Sequence, residues 1–307
     1  MAVYTVARAD TATAVTAAST EEDARTYLER NPRGAYTTAR TVQLSKIFEL
    51  DAHVERLAST AALMWPDQDL PADLVEAARL RPLVTSTLRA AMNHYRHTTV
   101  ADPTLATTEL KFTILLIWHS DTCLIECLCH ACALPPRPCP PINVEIRGAP
   151  RTNAKAKDSA WVKKRKHLEA LKSNDVNEIV LHDESGALLE GTQTNFYAII
   201  KGKLYTAGEG VLEGTVRRLL LQICAVHDVP VILDPPPNIE DLRNWEGALL
   251  SSTSRLALPI DWIGVPKEGK PFAAGDLSRA FNYDDRCLTR RLVRWVEEEV
   301  AQVSMEP

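Results

Sequence analysis

The sequence predicts a mixed α and β protein with two domains, and three observations support this. The chain has 307 residues, a length at which one hydrophobic core usually divides into two domains. Strand-like and helix-like segments are mixed without the regular strand–helix repeat of a doubly wound sheet. Five prolines lie between residues 135 and 141, and such a density continues neither a helix nor a central strand. We therefore expect the domain boundary at these prolines.

The segments before the prolines predict two helices and several strands. Apolar residues recur at helical spacing after Asp51, which is suited to be an N-cap, and the pattern returns after Pro71. A strongly apolar run that ends at Trp118 is typical of a buried strand. The predicted elements are helices over 51–63 and 74–94, short strands within 40–50, and strands over 110–118 and 123–134.

The segments after the prolines alternate more evenly between strand and helix patterns. The tripeptide Lys201-Gly202-Lys203 lies beside a strand-like run and predicts a hairpin turn. Gly214 directly precedes an apolar helical pattern and is expected to open that helix. The predicted elements are helices over 161–171, 214–226 and 289–300, and strands over 178–182, 188–189, 195–200 and 245–251.

Composition and charge exclude several classes of protein. Hydrophobic residues make up 45% and charged residues 24%, which is ordinary for a folded chain. No run of about 18 apolar residues is present, so we expect no membrane partner. The net charge of −5, without a dominant basic patch, argues against a nucleic-acid partner. We expect a cytoplasmic protein, with a plastid as the alternative because residues 11–20 resemble a transit peptide in their Ala and Thr content.

The cysteines do not indicate a disulfide framework. There are seven of them, which is too few and too odd a number for a secreted disulfide scaffold of this length. Cys129 and Cys132 have the spacing of a zinc-binding pair, but no second well-spaced pair follows. We expect buried strand cysteines here and no metal site.

Several unusual segments follow one another along the chain. They are GAYTTAR at 34–40, FELDAHVERL at 48–57, NAKAKDSAWV at 153–162, LLEGTQTNF at 188–196, LEGTVR at 212–217 and SSTSR at 251–255. Each segment alone is unspecific, whereas their common order and separations are specific. Together they resemble the class IV aminotransferases, enzymes of fold type IV that depend on pyridoxal 5′-phosphate.

That family includes branched-chain amino acid aminotransferases, D-amino acid aminotransferases and aminodeoxychorismate lyases. The forms at 36–40 and 156–162 are most similar to a branched-chain-aminotransferase-like subgroup. The resemblance runs from about residue 34 to residue 259. It implies an α+β fold, with a small α/β domain over residues 1–137 and a larger pseudo-barrel domain over residues 138–307. It also implies a cofactor between the two domains, and a homodimer in which each active site borrows residues from the neighbouring subunit.

The resemblance assigns the central chemistry to Lys157 and Glu190. Lys157 would form the resting Schiff base with the cofactor and would move the proton of the substrate's Cα. Glu190, which lies 33 residues later, would hold the pyridine nitrogen protonated so that the ring accepts electrons. A solvated basic surface is the alternative for this lysine-rich segment, and Lys155 is the alternative catalytic lysine.

The same resemblance assigns residues to the phosphate and to the substrate. Arg56 would bind the phosphate with its planar guanidinium. The helix that starts at Gly214 would bind it through backbone N–H groups, because a helix N-terminus favours an anion. The cofactor-binding set is Arg56, Lys157, Glu190, Asn195, Gly214, Thr215, Val216 and Thr253, and the substrate-binding set is Tyr36, Arg40, Lys111 and Ser254.

One position departs from the family's pattern. Branched-chain aminotransferases have a tyrosine a few residues after the lysine, whereas this chain has Trp161 and Val162 there. The resemblance implies transfer of an amino group between a branched-chain-like or D-amino acid and a 2-oxo acid such as 2-oxoglutarate. A lyase of the aminodeoxychorismate type is the alternative enzyme. Because an indole cannot replace the phenol, a non-catalytic relative that binds pyridoxal phosphate remains as a further alternative.

Overall fold

The structure is a computed structural model that describes residues 4–10 and 15–307, and it separates the chain into two units. The first unit contains Met1–Pro136, Ala156–Lys164 and Val300–Pro307, and the second contains Arg137–Lys155 and Arg165–Glu299. Residues 156–164 therefore group with the first unit although they follow the predicted boundary. The domain boundary between residues 137 and 138 stays a prediction.

The helices and strands have the following bounds. The helices are α1 (Ala24–Arg30), α2 (Leu50–Met64), α3 (Ala72–Val75), α4 (Ala77–Thr99), α5 (Pro103–Ala106), α6 (Ala160–Lys164), α7 (Lys166–Leu171), α8 (Thr215–Val226) and α9 (Leu288–Glu299), with a 3₁₀ helix at Ile239–Asn244. The first strands are β1 (Tyr4–Asp10), β2 (Thr16–Thr20), β3 (Ala35–Val42), β4 (Lys46–Phe48), β5 (Leu110–His119), β6 (Leu124–Ala133), β7 (Asn143–Ile146) and β8 (Glu178–His182). The later strands are β9 (Leu188–Gly191), β10 (Asn195–Ile200), β11 (Lys203–Tyr205), β12 (Val231–Ile232), β13 (Gly247–Ser252), β14 (Leu256–Pro259), β15 (Trp262–Val265), β16 (Leu277–Ala280) and β17 (Ser304–Met305).

The first unit is built on an antiparallel sheet with the strand order β17-β4-β3-β5-β6-β1-β2. Side chains alternate between the two faces of a strand, so Phe112, Ile114 and Leu116 of β5 all enter one core. Helices α2 and α4 cover this face with side chains such as Leu57 and Leu88. The apolar spacing of α2 and α4 in the sequence is explained by this packing.

The opposite face of the first sheet carries a smaller cluster. Tyr36 of β3 and Leu115 of β5 pack there with Tyr27 of α1 and Val162 of α6. All four side chains are buried. The lysine-rich segment that follows residue 155 is thereby anchored on this face of the sheet.

The second unit contains a mixed sheet. Its strand order is β12-β11-β10-β9-β8-β7-β15-β16, with β13 pairing with β10 and β14 pairing with β13. Strand β7 is parallel to both β8 and β15, which explains why its side chains are buried on both faces. The core of this unit includes Phe196, Trp245 and Leu250.

Most of the predicted elements are confirmed, including the two long strands β5 and β6 and the helix α8. The hairpin turn is confirmed as well, since Lys201 and Gly202 link β10 to β11 with φ values of 50° and 69°. These left-handed values are the ones that a two-residue hairpin turn requires. The predicted α+β class is confirmed.

Three helix details differ from the prediction. Asp51 is not the N-cap of α2, because Glu49 takes that position with φ 53° and ψ 44°. Asp51 lies in the first turn instead, where the helix dipole also favours a carboxylate. The helix predicted over 74–94 is divided by the extended backbone of Glu76. The helix predicted over 161–171 is divided at Arg165, where the chain passes from the first unit to the second.

Candidate functional site

Lys157 lies in an extended segment that pairs with the beginning of β3. Asp158 is the bridge partner of Ala35, and the backbone N–H of Tyr36 donates to the carbonyl of Lys157 at 2.9 Å. The Lys157 Nζ lies 4.8 Å from the centroid of the Tyr36 ring. The side chains of Lys157 and Tyr36 therefore meet on one face of this strand pair.

Two further contacts fix the backbone on either side of Lys157. The backbone N–H of Lys157 donates to Thr60 Oγ1 of α2 at 3.2 Å. The Ser159 N–H donates to the carbonyl of Gly34 at 3.0 Å, and Ser159 Oγ accepts from the Gly34 N–H at 3.0 Å. A Cβ on Gly34 would lie 2.2 Å from the carbonyl oxygen of Leu116, so only glycine allows this close approach of strands. The lysine thus has a defined register against β3.

Arg56 is a buried residue of α2 in the same unit as Lys157. Arg56 Nη1 donates to Thr37 Oγ1 at 3.4 Å. The Thr37 hydroxyl also lies 2.8 Å from His53 Nδ1. His53 and Thr37 are both fully buried. The guanidinium is therefore held where α2 packs on β3, and its planar, charged form is of the kind that binds an anion such as a phosphate.

Three of the predicted substrate residues share one face of the first sheet. Arg40 and Lys111 are direct partners across β3 and β5, and Tyr36 lies four residues before Arg40 on the same strand. Residues two or four apart on a strand point to the same side. Two cations directly opposite each other are unfavourable unless an anion lies near them. The structure thus brings Tyr36, Arg40, Lys111 and Lys157 onto a common face of the first unit.

Glu190 is buried in β9 of the second unit, where both of its carboxylate oxygens are bound. Arg151 donates from Nε to Glu190 Oε1 at 2.7 Å, and the backbone N–H of Leu212 donates to Oε2 at 2.9 Å. The side chains of Arg151 and Glu190 are 9% and 4% exposed. Arg151 also donates to the carbonyl of Ala154 at 2.6 Å. The charge of this buried carboxylate is therefore compensated by an adjacent guanidinium.

Asn195 connects β10 to the loop that leads into α8. It is the strand partner of Glu190, and its Nδ2 donates to the carbonyl of Leu212 at 2.7 Å. A Cβ on Gly214 would lie 2.1 Å from Asn195 Oδ1, so glycine is required for this approach. Glu190 and Asn195 together bind both the N–H and the C=O of Leu212. The position of the loop before α8 thus depends on both side chains.

The N-terminus of α8 has the composition of an anion site. Gly214 is the N-cap, and as a glycine it has no side chain to accept from the N–H groups of the first turn. Thr215 Oγ1 and Thr253 Oγ1 lie 2.9 Å apart beside it, and both residues are buried. Val216 is buried in the first turn, and Ser254 follows Thr253 in the turn between β13 and β14. Backbone N–H groups and two hydroxyls are therefore present together at the positive end of a helix dipole.

These residues fit the requirements of pyridoxal 5′-phosphate. The cofactor needs an amine, a carboxylate for its pyridine nitrogen, and donors for its phosphate. The first unit supplies Lys157 and Arg56, and the second supplies Glu190 together with Thr215 and Thr253 at the start of α8. Each unit thus contains a part of the donor set that the group requires.

Arg151 was not predicted from the sequence. It lies in a loop after β7, where neither a strand nor a helix period marks a single arginine. Its only sequence signal is its position six residues before Lys157. Val162, which lies five residues after the lysine, is buried in the cluster of Tyr27 and Tyr36, so this position serves packing.

The described residues were also compared with the requirements of a metal site and of a membrane-spanning helix. Among residues 4–10 and 15–307, no group of three or more His, Cys, Asp and Glu side chains is arranged to hold a metal ion. Burial raises the pKa of the Cys127 thiol to about 12 and raises that of Cys129 well above its usual value. Within the same residues, no helix has the length and the apolar character to cross a membrane.

Comparison with known proteins connects this arrangement with a family. Residues 34–263 match the sequence model of the family Amino-transferase class IV. The branched-chain aminotransferase of Thermoproteus uzoniensis, solved with norvaline, is 17% identical and has a TM-score of 0.69 over 97% of this chain and 96% of that chain. The fold IV-transaminase of Curtobacterium pusillum is 18% identical, with a TM-score of 0.68 over 97% of each chain.

A hypothetical aminotransferase of Mycobacterium tuberculosis, solved in an α-ketoglutarate and PMP bound form, is 17% identical, with a TM-score of 0.63 over 88% of this chain and 89% of that chain. No curated protein sequence matches the chain. The structural similarities show the fold, and the family match covers most of the sequence. The chain therefore belongs to the class IV aminotransferases, a family of fold type IV whose cofactor is pyridoxal 5′-phosphate.

Proposed function

We propose that the protein transfers an amino group between an amino acid and a 2-oxo acid, with Lys157 as the catalytic lysine. The observation that carries this assignment is the fixed register of Lys157 beside Tyr36, in the same unit as Arg56. A catalytic amine has to be held in a defined place relative to the reacting atoms. The backbone contacts of Lys157 support such a role.

The environment of Lys155 supports the choice between the two lysines. Lys155 is exposed, and its Nζ lies 2.6 Å from Glu209 Oε2. The hydrogen bond to Glu209, together with the charge of that carboxylate, raises the pKa of Lys155 above its ordinary value. An amine that is held in its protonated form is a poor nucleophile and a poor base. Lys155 is therefore a surface residue in this proposal.

The other site residues have distinct tasks. The bound cofactor supplies a ring that accepts electron density when the proton leaves the substrate's Cα. Lys157 takes this proton and returns it, and Glu190 accepts a hydrogen bond from the pyridine N–H. The phosphate is bound by Arg56, by the hydroxyls of Thr215 and Thr253, and by the first turn of α8. Asn195, Gly214 and Val216 shape that turn.

The cations on the first sheet support substrates that carry carboxylates. Arg40 and Lys111 face each other across β3 and β5, and Tyr36 lies on the same face. We assign these residues, with Ser254, to the carboxylates of the amino acid and the 2-oxo acid. The donor is a branched-chain-like or D-amino acid, and 2-oxoglutarate is the acceptor. The relatives solved with norvaline and with α-ketoglutarate support this assignment. We also propose a homodimer in the cytoplasm.

The position of Val162 favours a second candidate. Because this residue is packed among apolar side chains, it offers no hydroxyl where branched-chain aminotransferases have a tyrosine a few residues after the lysine. A protein that binds pyridoxal phosphate without turnover would tolerate this loss. A lyase of the aminodeoxychorismate type would retain the same lysine and release pyruvate.

A spectroscopic experiment tests the proposal. The purified protein should be yellow, and a panel of L- and D-amino acids should bleach the visible band when the correct donor is added. Borohydride reduction and peptide mapping should place the pyridoxyl group on Lys157. Lys157→Ala should lose the band and the reaction, whereas the matched variant Lys155→Ala should keep both.

The possible results separate the candidates. A protein that stays colourless with added cofactor would refute the whole assignment, and a label on Lys155 would refute the choice of lysine. A band that no amino acid bleaches would favour the non-catalytic candidate, and pyruvate release from aminodeoxychorismate would favour the lyase. Light scattering of the pure protein measures the proposed dimer.

A further inference from the structure

An ion pair next to Lys157 has no task in the function proposed above. Arg33 and Asp158 are both in the first unit, and Arg33 Nη2 lies 2.6 Å from Asp158 Oδ2. Arg33 Nε lies 2.9 Å from the same oxygen and 3.1 Å from Oδ1. The arginine thus binds the carboxylate with two nitrogen atoms, which fixes direction as well as distance.

The pair lies at the point where the lysine segment joins β3. Asp158 directly follows Lys157 and is opposite Ala35, while Arg33 precedes the strand by two residues. On either side of this bridge, the carbonyl of Lys157 and the N–H of Ser159 are hydrogen bonded to β3 or to Gly34. The ion pair is therefore a side-chain contact across the same short strand pair that sets the register of Lys157.

Asp158 has a second contact that also restrains this segment. Its Oδ1 accepts from the backbone N–H of Ala160 at 2.9 Å, at the first residue of α6. The carboxylate is therefore shared between the first turn of α6 and the guanidinium of Arg33. A movement of Asp158 away from Arg33 would displace both the following helix and the preceding lysine.

We infer that Arg33 and Asp158 are a positioning pair, which holds the Lys157 segment against β3 so that the amine stays aimed at the substrate's Cα. This inference rests on the proposed function of Lys157. The pair acts through the backbone and touches no reacting atom. A misplacement of a reacting group by about 1 Å can slow a reaction by as much as about a hundredfold. The loss of the pair should therefore slow the proton transfer more than it weakens substrate binding.

Because the pair is partly exposed, its contribution to the reaction rate should depend on the salt concentration. The Arg33 side chain is 55% exposed, and that of Asp158 is 17% exposed. Salt screens exposed charges strongly, since the Debye length falls from about 10 Å at 0.1 M to about 3 Å at 1 M. A positioning role of this pair predicts that the half-reaction with the amino donor slows when salt is added. When both proteins are saturated with donor, a variant that lacks the pair should respond less to salt than the wild type does.

The test compares Arg33→Ala, Asp158→Asn and the double variant with the wild-type holoenzyme. Asp158→Asn keeps an oxygen for the Ala160 N–H, removes the charge, and replaces the other acceptor oxygen by an NH2 group that cannot accept from Arg33. Arg30→Ala is the matched control, because Arg30 forms an exposed pair with Glu22 at 2.7 Å in the same unit. The measurements are the rate of the half-reaction, the apparent Kd of the donor, the salt dependence, and hydrogen exchange of residues 156–162 in the protein without cofactor.

We expect each single variant to form the visible band on Lys157 and to react about tenfold more slowly, with the donor's Kd changed less than about threefold. The double variant should react no more slowly than the single ones, and hydrogen exchange of residues 156–162 should be faster in all three. Arg30→Ala should behave as wild type. Unchanged rates and salt dependence, with the label on Lys157, would overturn the positioning pair alone. A label elsewhere would overturn the proposed function as well.

Discussion

Replacement of Arg151 should destabilise the second unit, even without cofactor. In Arg151→Met, the Glu190 carboxylate loses the bond from Arg151 Nε and keeps the one from the Leu212 N–H. The side chain of Glu190 is only 4% exposed, so water cannot replace the lost partner. Removal of one member of a buried ion pair typically costs about 3–5 kcal/mol. At about 2–4 °C per kcal/mol, the melting temperature should fall by roughly 6–20 °C.

A double-mutant cycle isolates the interaction between the two charges. Glu190→Gln keeps an acceptor for the Leu212 N–H but removes the carboxylate charge that faces the buried Arg151. The double variant Arg151→Met, Glu190→Gln has no unpaired charge and should be more stable than the sum of the single effects implies. We expect a coupling of about 2–3 kcal/mol, which is at the upper end for residues in contact.

The assay is urea and thermal unfolding of the protein prepared without cofactor, so that lost cofactor binding does not contribute. Arg25→Met is the control, since Arg25 pairs with Glu29 on the surface of α1 and such a pair contributes about 0.3–0.5 kcal/mol. An Arg151→Met variant within about 1 kcal/mol of wild type would refute a stabilising role of this buried ion pair. Single effects that simply add in the double variant would refute the coupling between the two charges.

Three further predictions concern single positions. Arg56→Ala should weaken cofactor affinity by about ten- to a hundredfold, because a charge-assisted contact of about 1.5–3 kcal/mol is lost. Turnover at saturating cofactor should change little. Fluorescence titration measures the affinity, and a normal affinity would show that Arg56 does not bind the phosphate. Burial, aided by nearby Lys111, lowers the pKa of His130. Below about pH 6.5 the unfolded state therefore binds more protons than the folded state, and the free energy of unfolding should decrease as the pH is lowered. In His130→Phe this pH dependence should be weaker in unfolding experiments, and an unchanged slope would contradict the assignment to this residue. Gly214→Ala should cost about 1–3 kcal/mol, because its Cβ would lie 2.1 Å from Asn195 Oδ1, and a melting temperature equal to that of wild type would show that the loop adapts freely.

The sequence predicts well those parts of the fold in which one local pattern dominates. The apolar runs of β5 and β6, the two-residue turn at Lys201 and Gly202, and the helix after Gly214 each have a clear period or turn signal. Strands β1 and β2 have no such signal, since small and polar residues dominate them, and they were not predicted. Their positions depend on pairing with β6 and with each other.

The candidate site is predictable only where a motif marks it. The segment of Lys157 and the segment of Glu190 are specific in their order, so both are visible in the sequence. The pairing of Arg151 with Glu190 joins residues 39 positions apart through tertiary structure, and no local rule contains it. The contact of Asp158 with Arg33 joins residues 125 positions apart, and no local pattern in the sequence predicts it either. The Glu49 N-cap escapes prediction because its left-handed backbone is unusual for glutamate.

The membership of β17 in the first sheet has a consequence for the order in which the chain can complete that sheet during synthesis. The six other strands of the sheet are present once residue 133 has been made. Ser304 and Met305, which pair with Phe48 and Ile47 of β4, are made only after the whole second unit. A nascent chain therefore carries β4 as an open edge while more than 160 further residues are added. Open edges of apolar strands attract other strands. A ribosome-bound intermediate is thus exposed to wrong pairing at β4, and this exposure ends when β17 closes the edge.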